Sequence, residues 1–205
     1  MDTDTLNQDG RHARLEKNKA EVIRALLLLI RENGEIPTIE VIAKKAGVSR
    51  RSMFRFFDSR ESLLRATVEY MYREVKEHFP VPDLTGSSLI DRVRILVDHL
   101  ASVYEYITPV RRVSEPLKTK NPLIRREQQR VQQLYRQQLQ AQFIDILPQE
   151  GSERDIMIDT VQLIASWNAW MFLRNDRGYS LGRAKTVMTY ALLTAFEHTP
   201  GIHNR

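Results

Sequence analysis

Arginine side chains recur on one face of a short helical segment. On a helical wheel of residues 50–57, Arg51 and Arg55 stand opposite three apolar side chains, Met53, Phe56 and Phe57. A guanidinium group can bond bidentately to O6 and N7 of guanine in the major groove of DNA. A helix that buries its apolar face and presents arginines on the other therefore predicts the reading of double-stranded DNA.

Positive charge is concentrated around this segment. Residues 44–60 contain six lysine and arginine residues and one acidic residue, Asp58, which leaves an excess of five positive charges. The whole chain of 205 residues has a formal net charge of +5. Because cations neutralise phosphates and release their counterions, this local charge favours a nucleic acid as partner.

Helix signals on both sides of the segment indicate how the arginines are positioned. Thr38 is predicted to cap a helix that ends at Gly47, and Ser49 is predicted to cap the arginine helix. Asp58 and Glu61 form a predicted capping box for the next helix. We therefore expect short, closely spaced helices around the arginines.

Helical periodicity continues along the rest of the chain, and strand-like alternation does not. With eight glycines and eight prolines, the chain has little turn material for a many-stranded fold. We predict an all-α fold of about nine helices. After an arm at residues 1–15 that we expect to be flexible, the predicted helices cover residues 16–33, 38–46, 49–57, 59–79, 87–107, 110–118, 122–146, 152–174 and 181–198.

The composition argues against several other classes of protein. The absence of cysteine excludes disulfide scaffolds, thiolate zinc sites and cysteine nucleophiles, and it suits a cytoplasmic location. The longest apolar run, residues 25–30, is far shorter than the roughly 20 residues of a membrane helix, so we expect no membrane partner. His78 and His99 have no ligand-spaced partner. Because phosphate-binding glycine loops and nucleophile motifs are also missing, we expect no metal, no cofactor and no catalytic residue.

The segment from Thr38 to Leu64 resembles the helix-turn-helix of tetracycline-repressor-type (TetR family) regulators. The shared elements are Ile42-Ala43, Ala46-Gly-Val-Ser49, an aromatic end of the arginine helix, Ser59-basic-Glu61 and Leu63-Leu64. The resemblance implies an amino-terminal, three-helix DNA-binding domain at residues 16–63. It further implies that the following side chains face DNA, with Thr38 and Arg60 placed at helix N-termini against phosphates: Thr38, Ser49, Arg50, Arg51, Ser52, Phe54, Arg55 and Arg60.

Three positions depart from the pattern of that family. Phe54 stands where the family usually has a tyrosine, so a phosphate contact through a phenol hydroxyl is lost and apolar contact to a thymine methyl remains. Arg51 replaces a commonly small residue, which is expected to change the sequence that is read. Arg60 replaces a common lysine and keeps a cation at the phosphate.

The remaining part, residues 64–205, is expected to be a larger helical domain for ligand binding and dimerisation. The resemblance implies a small-molecule pocket and a homodimer interface made by the last two helices. Residues 156–173 are apolar nearly all round, and Ala184, Met188, Ala191 and Ala195 form a mostly small face on the last helix, which suits close helix packing. Candidate ligand-binding residues combine aromatic and polar groups in apolar helices: Tyr104, Met157, Gln162, Ser166 and Trp170.

The resemblance implies a transcriptional repressor that an apolar or amphipathic small molecule releases from its double-stranded DNA operator. One alternative is a helix-turn-helix DNA-binding protein that responds to no ligand and is controlled by a protein partner. A helical enzyme is a further alternative, against which the missing catalytic motifs argue.

Overall fold

The computed structural model describes residues 3–84, 86–149 and 151–197, with side chains from residue 13 onward. Within these ranges the chain is all-α, as predicted. The short turns Glu115–Leu117 and Phe172–Asp176 are a 3-10 and a π turn, respectively. The α-helices of the described ranges are α1 (Thr3–Asn33), α2 (Ile39–Lys45), α3 (Arg50–Phe56), α4 (Arg60–His78), α5 (Leu89–Ser114), α6 (Pro122–Gln142), α7 (Ser152–Ile164), α8 (Trp167–Met171) and α9 (Leu181–Glu197).

The helices form two compact units. The first unit comprises Met1–His78 and Ile107–Glu127, and the second comprises Phe79–Tyr106 and Gln128–Arg205. The boundary predicted between residues 63 and 64 falls inside α4, all of which belongs to the first unit. The end of α5 and the start of α6 also belong to the first unit, so each of these helices has a part in both units.

The first unit is built around α1. Its buried face, including Val22, Leu26 and Ile30, packs against α2, α3 and α4 in one apolar cluster. α1 begins at Thr3, so the start predicted at Glu16 is wrong, and the residues expected to form a flexible arm are helical from Thr3 onward. Apolar periodicity detects only a packed face, whereas polar residues can extend a helix that packing has already nucleated.

α4 begins with a reciprocal pair of serines. The backbone N–H of Ser62 donates to Oγ of Ser59 at 3.0 Å, and the backbone N–H of Ser59 donates to Oγ of Ser62 at 3.2 Å. The capping box predicted from Asp58 and Glu61 is therefore wrong by one position. The hydroxyl of Ser62, the third residue of α4, takes the part that a glutamate carboxylate was expected to play.

α5 is one helix where two were predicted, at residues 87–107 and 110–118. Pro109 lies inside it, so the carbonyl of Glu105 lacks the intrahelical donor that residue 109 would supply. The fixed φ of proline is compatible with helix, and the chain continues helically to Ser114. In the second unit, Arg92 anchors the first part of α5 by a bidentate pair with Asp145, at 2.6 and 2.8 Å.

The apolar stretch predicted as one helix at residues 152–174 is broken. α7 ends at Ile164, and Ser166 caps α8 by accepting a hydrogen bond from the backbone N–H of Ala169 at 3.1 Å. By length and composition alone, Ser152–Asp176 could cross a membrane. In the structure, however, this stretch contributes Ile158, Val161 and the fully buried Trp170 to the core of the second unit.

The last helix packs its small-residue face inside its own unit. Ala184 and Met188 are buried, as are Leu192 and Phe196 one and two turns further along. α9 lies against α7. Of the small face predicted to suit close helix packing, Ala184 and Met188 therefore belong to the core of the second unit, whereas Ala191 and Ala195 are only half-buried.

Glu105 ties α5 to the segment after α7. Its carboxylate accepts hydrogen bonds from Nε1 of Trp170 at 3.0 Å and from Nε of Arg174 at 2.9 Å. The hydrogen bond from Arg174, followed by that from Trp170, holds the pKa of Glu105 below its ordinary value, against the opposing effect of partial burial.

We expect this pair of hydrogen bonds to make stability pH-dependent. Because the folded-state pKa of Glu105 is lowered, its stabilisation is present above the ordinary glutamate pKa of about 4.3 and is lost as the pH falls through the folded value. Urea denaturation should show Glu105→Gln less stable than the wild type at pH 7, by about 1 kcal/mol or less because the carboxylate is partly exposed.

The difference between the two proteins should shrink in acid. Glu69→Gln, a change of the same charge at an exposed position in the interior of α4, serves as the control. A constant difference between wild type and Glu105→Gln from pH 7 down to pH 3 would contradict the assignment.

Candidate nucleic-acid interface

The turn between α2 and α3 is fixed by the backbone. The N–H of Val48 donates to the carbonyl of Ala43 at 3.0 Å, and the N–H of Gly47 donates to that of Lys44 at 3.3 Å. This is a Schellman motif, in which Gly47 takes a positive φ of 67°. Since side chains other than glycine are strained there, Gly47 sets the direction in which the chain enters α3.

Both helices of this pair carry the predicted N-caps. Oγ1 of Thr38 accepts a hydrogen bond from the N–H of Val41 at 3.4 Å. Oγ of Ser49 accepts one from the N–H of Ser52 at 3.1 Å, and the two serine hydroxyls lie 3.0 Å apart. The capping predictions for Thr38 and Ser49 are thus confirmed, and both hydroxyls lie at exposed helix N-termini.

The two faces of α3 separate as the helical wheel predicts, except that the helix ends at Phe56 and Phe57 follows it with an extended backbone. Met53, Phe56 and Phe57 are buried in the core of the first unit, whereas Arg51 and Arg55 are exposed. The guanidinium carbon of Arg55 lies 5.3 Å from the ring centroid of Phe56, which directs its head group along the helix. Among the described residues Arg51 makes no ion pair, so its donors can meet a base edge.

Arg50 lies between a carboxylate and an aromatic ring. Its Nη1 is 3.0 Å from Oε1 of Glu40 on α2, and its guanidinium carbon is 5.7 Å from the ring centroid of Phe54. Phe54 is 51% exposed, so this ring presents apolar surface next to the arginines. Arg50 is therefore already in contact with Glu40 and Phe54 before it meets DNA.

Glu40 is the member of this surface that sequence reasoning missed. Its own backbone N–H, then Arg50 and the hydroxyl of Thr38, lower its pKa, so it is ionised at neutral pH. The sequence shows an acid ten positions before Arg50, but only the α2–α3 turn reveals that the two meet. Thr38, Glu40, Arg50 and Phe54 thus form one connected group.

Arg60 is the first residue of α4 and is exposed. Its position at a helix N-terminus, beside backbone N–H groups, suits a phosphate oxygen. Lys44, near the end of α2, is also exposed. The structure brings Thr38, Ser49, Arg50, Ser52 and Phe54 together around the α2–α3 turn, with Arg51 and Arg55 on the outer face of α3.

Three of the predicted ligand-binding residues meet at the break between α7 and α8. The hydroxyl of Tyr104 donates to the carbonyl of Ala165 at 2.5 Å, and Ser166 caps α8. The rings of Tyr104 and Trp170 lie 6.4 Å apart between centroids. In this structure these polar groups stabilise the break, and ligand binding by them stays a prediction.

The other two predicted ligand-binding residues lie elsewhere on α7. Gln162 donates from Nε2 to the carbonyl and Oε1 of Gln132 on α6, at 3.0 and 3.1 Å, while Met157 is buried. A small apolar crevice opens further along the same pair of helices, and none of the five predicted residues lines it. Its lining consists of Leu139, Phe143, Leu147, Ile158, Val161 and Phe196.

Comparison with known proteins identifies the domain that carries the arginine face. Residues 28–67 match the family model of the bacterial regulatory proteins of the tetR family. The match runs from the end of α1 through α2 and α3 into α4, and so contains every predicted DNA-binding residue. Searching the curated proteins gave no match. Residues 28–67 are therefore a helix-turn-helix domain of the tetR type, and this domain implies a DNA-binding transcriptional regulator.

Proposed function

We propose that this regulator is a cytoplasmic homodimeric repressor, which an apolar or amphipathic small molecule releases from its DNA operator. The observation that carries the proposal is the exposed arginine face of α3, held by Met53, Phe56 and Phe57 in the core of the first unit. Arg51 reads a base, Arg50 and Phe54 contact the groove wall and a thymine methyl, and Thr38, Ser49 and Arg60 hold phosphates.

α5 supplies a physical route from ligand to DNA. Its last turns place Val110 and Val113 against the apolar core of the first unit, while Tyr104 and Glu105 belong to the second unit. Pro109 lies between these two parts, and proline is a common site of helix bending. A ligand that favours one bend of α5 over another would shift the position of α3, provided that it binds the two states with different affinity.

Exposed apolar side chains on α7 and α9 support dimerisation. Leu163 is 70% exposed and Tyr190 is 73% exposed, and each lies opposite the buried face of its helix. Apolar surface of this kind is costly in a lone subunit. The proposal is that α7 and α9 pack against the same helices of a second copy.

A ligand-independent regulator is the second candidate. It is favoured by the small size of the apolar crevice and by the protein contacts already made by Tyr104, Gln162, Ser166 and Trp170. An operator selected from random DNA with the purified chain allows a direct comparison. Retention of that operator in the presence of a broad set of small molecules would favour this second candidate.

Truncation of Arg51 and truncation of Arg60 are predicted to weaken DNA binding in different ways. Arg51→Ala should cost about 1–3 kcal/mol on the selected operator and flatten the preference at one base position per half-site. Arg60→Ala should weaken selected and random DNA alike and reduce the salt slope by about one per subunit, because one fewer counterion is released. Titrations at several salt concentrations measure both effects.

Arg94→Ala is the matched control, because Arg94 is an exposed arginine of the second unit. It removes the same charge and should leave both the affinity and the base preference nearly unchanged. Uniform weakening by Arg51→Ala with the base preference intact would assign base reading to Arg55 instead.

Glu40 is predicted to oppose DNA binding. Glu40→Gln removes a negative charge beside Thr38 and Arg50, which should raise the affinity for selected and random DNA by up to about fivefold at low salt. Glu69→Gln, at an exposed position of α4, is the charge-matched control. If Glu40→Gln lowers the affinity for one base pair only, Glu40 is itself a base-reading residue that accepts from cytosine N4.

Charge on the exposed faces of α7 and α9 is predicted to dissociate the dimer. Leu163→Glu combined with Tyr190→Glu should turn a particle of twice the 24.0 kDa chain mass into a monomer, as measured by light scattering at micromolar concentration. Helix content should be unchanged, since both side chains are exposed. Ile144→Glu, at another exposed apolar position of the second unit, should leave the dimer intact.

A further inference from the structure

Tyr135 on α6 carries a buried hydroxyl without a partner. Its oxygen is inaccessible to solvent and has no hydrogen-bond partner in the described part of the chain. Leaving such a group unpaired costs free energy, and nearly all buried polar atoms in proteins are paired. A hydroxyl in this state is therefore a candidate donor to a molecule that the protein binds.

Tyr135 lies one helical turn before Leu139, a residue that lines an apolar crevice. The two residues therefore share a face of α6, and Phe143 follows directly after the end of the helix. Leu139 and Phe143 line the apolar crevice, together with Ile158 and Val161 of α7. Tyr135 does not line the crevice itself, but its position one turn from Leu139 combines an apolar lining with one nearby polar group, as is usual in small-molecule sites.

Neighbouring polar groups are already paired. Gln132, one turn before Tyr135, bonds to Gln162, and Arg136 pairs with Asp155 and Asp159 of α7. The hydroxyl of Tyr104 is committed to the carbonyl of Ala165. Among the buried side chains that the structure describes between α6 and α7, the hydroxyl of Tyr135 has no such partner.

The surroundings of Tyr135 disfavour charge. Burial, followed by the nearby Tyr104, raises the pKa of Tyr135 well above its ordinary value, so the hydroxyl keeps its proton and remains a donor. An ionised ligand would have to leave water without a counter-charge, since Arg136 is held by two aspartates. The partner of this hydroxyl must therefore be a neutral acceptor.

We propose that the hydroxyl of Tyr135 anchors a neutral, largely apolar small molecule that carries a hydrogen-bond acceptor such as a ketone or ester oxygen. This inference rests on the proposed ligand-responsive function and names the class of ligand. The acceptor bonds to Tyr135, and the apolar body lies along Leu139 and Phe143. Because the crevice is small in this structure, the proposal requires α6 and α7 to move apart when the molecule binds.

The first measurement is stability in urea. Tyr135→Phe removes only the hydroxyl and should leave the free energy of unfolding unchanged or raise it, because no protein partner loses a bond. Tyr104→Phe is the matched control and should lower stability, because the carbonyl of Ala165 loses its donor. Equal destabilisation by the two changes would mean that the fold uses the Tyr135 hydroxyl, and would overturn the inference.

The second measurement is binding of three probes to the full chain by ligand-observed NMR titration. Acetophenone carries the acceptor, ethylbenzene has nearly the same shape without it, and benzoate carries a charge. The wild type should bind acetophenone about fivefold more tightly than ethylbenzene, and Tyr135→Phe should abolish this preference. Benzoate should bind more weakly than acetophenone.

Other results would overturn the inference. These are a preference for acetophenone that survives Tyr135→Phe, tighter binding of benzoate, or no binding of any probe, in which case the hydroxyl serves a bound water only. DNA titration separates this inference from the proposed function. If probes bind through Tyr135 but the operator affinity does not change, the site is retained and ligand release is rejected. If other molecules release Tyr135→Phe from the operator, ligand release is retained and the Tyr135 site is rejected.

Discussion

The DNA-binding surface depends on the burial of one face of α3. A helix of seven residues is too short to be stable alone in water, so α3 exists because Met53, Phe56 and Phe57 pack into a core that α1 and α2 complete. The same burial fixes the rotation of the helix about its axis. Arg51 and Arg55 therefore project outward as a consequence of packing.

Local rules were sufficient to predict this part of the molecule. Gly47, Thr38 and Ser49 act through hydrogen bonds to residues a few positions away. The spacing of arginine and apolar residues in α3 is compatible with only one orientation of the helix, with the apolar face buried. The pair of Glu40 and Arg50 could not be predicted in this way. It depends on the angle between two helices, and several acids and bases of similar spacing compete for such pairs.

The second unit was harder to predict because its decisive bonds are distant in sequence. The sequence of residues 152–174 predicts one apolar helix, yet the helix is interrupted before Ser166. There the hydroxyl of Ser166 accepts from the N–H of Ala169 and the hydroxyl of Tyr104 donates to the carbonyl of Ala165, so both backbone groups are paired. The sequence predicts Trp170 and Gln162 as ligand-binding residues because they combine apolar and polar groups. Their bonds to Glu105 and Gln132 cross 65 and 30 positions of sequence, and no periodicity contains that information.

The division of α3 into a packed face and an exposed face has a consequence for divergence among regulators. Substitutions at Arg51 or Arg55 leave Met53, Phe56 and Phe57 in place, so they change the preferred base pairs at little cost to folding. Mutational drift can thus sample new operators while the scaffold stays intact. A duplicated copy of such a protein needs to alter only a few surface codons to acquire a separate set of target promoters.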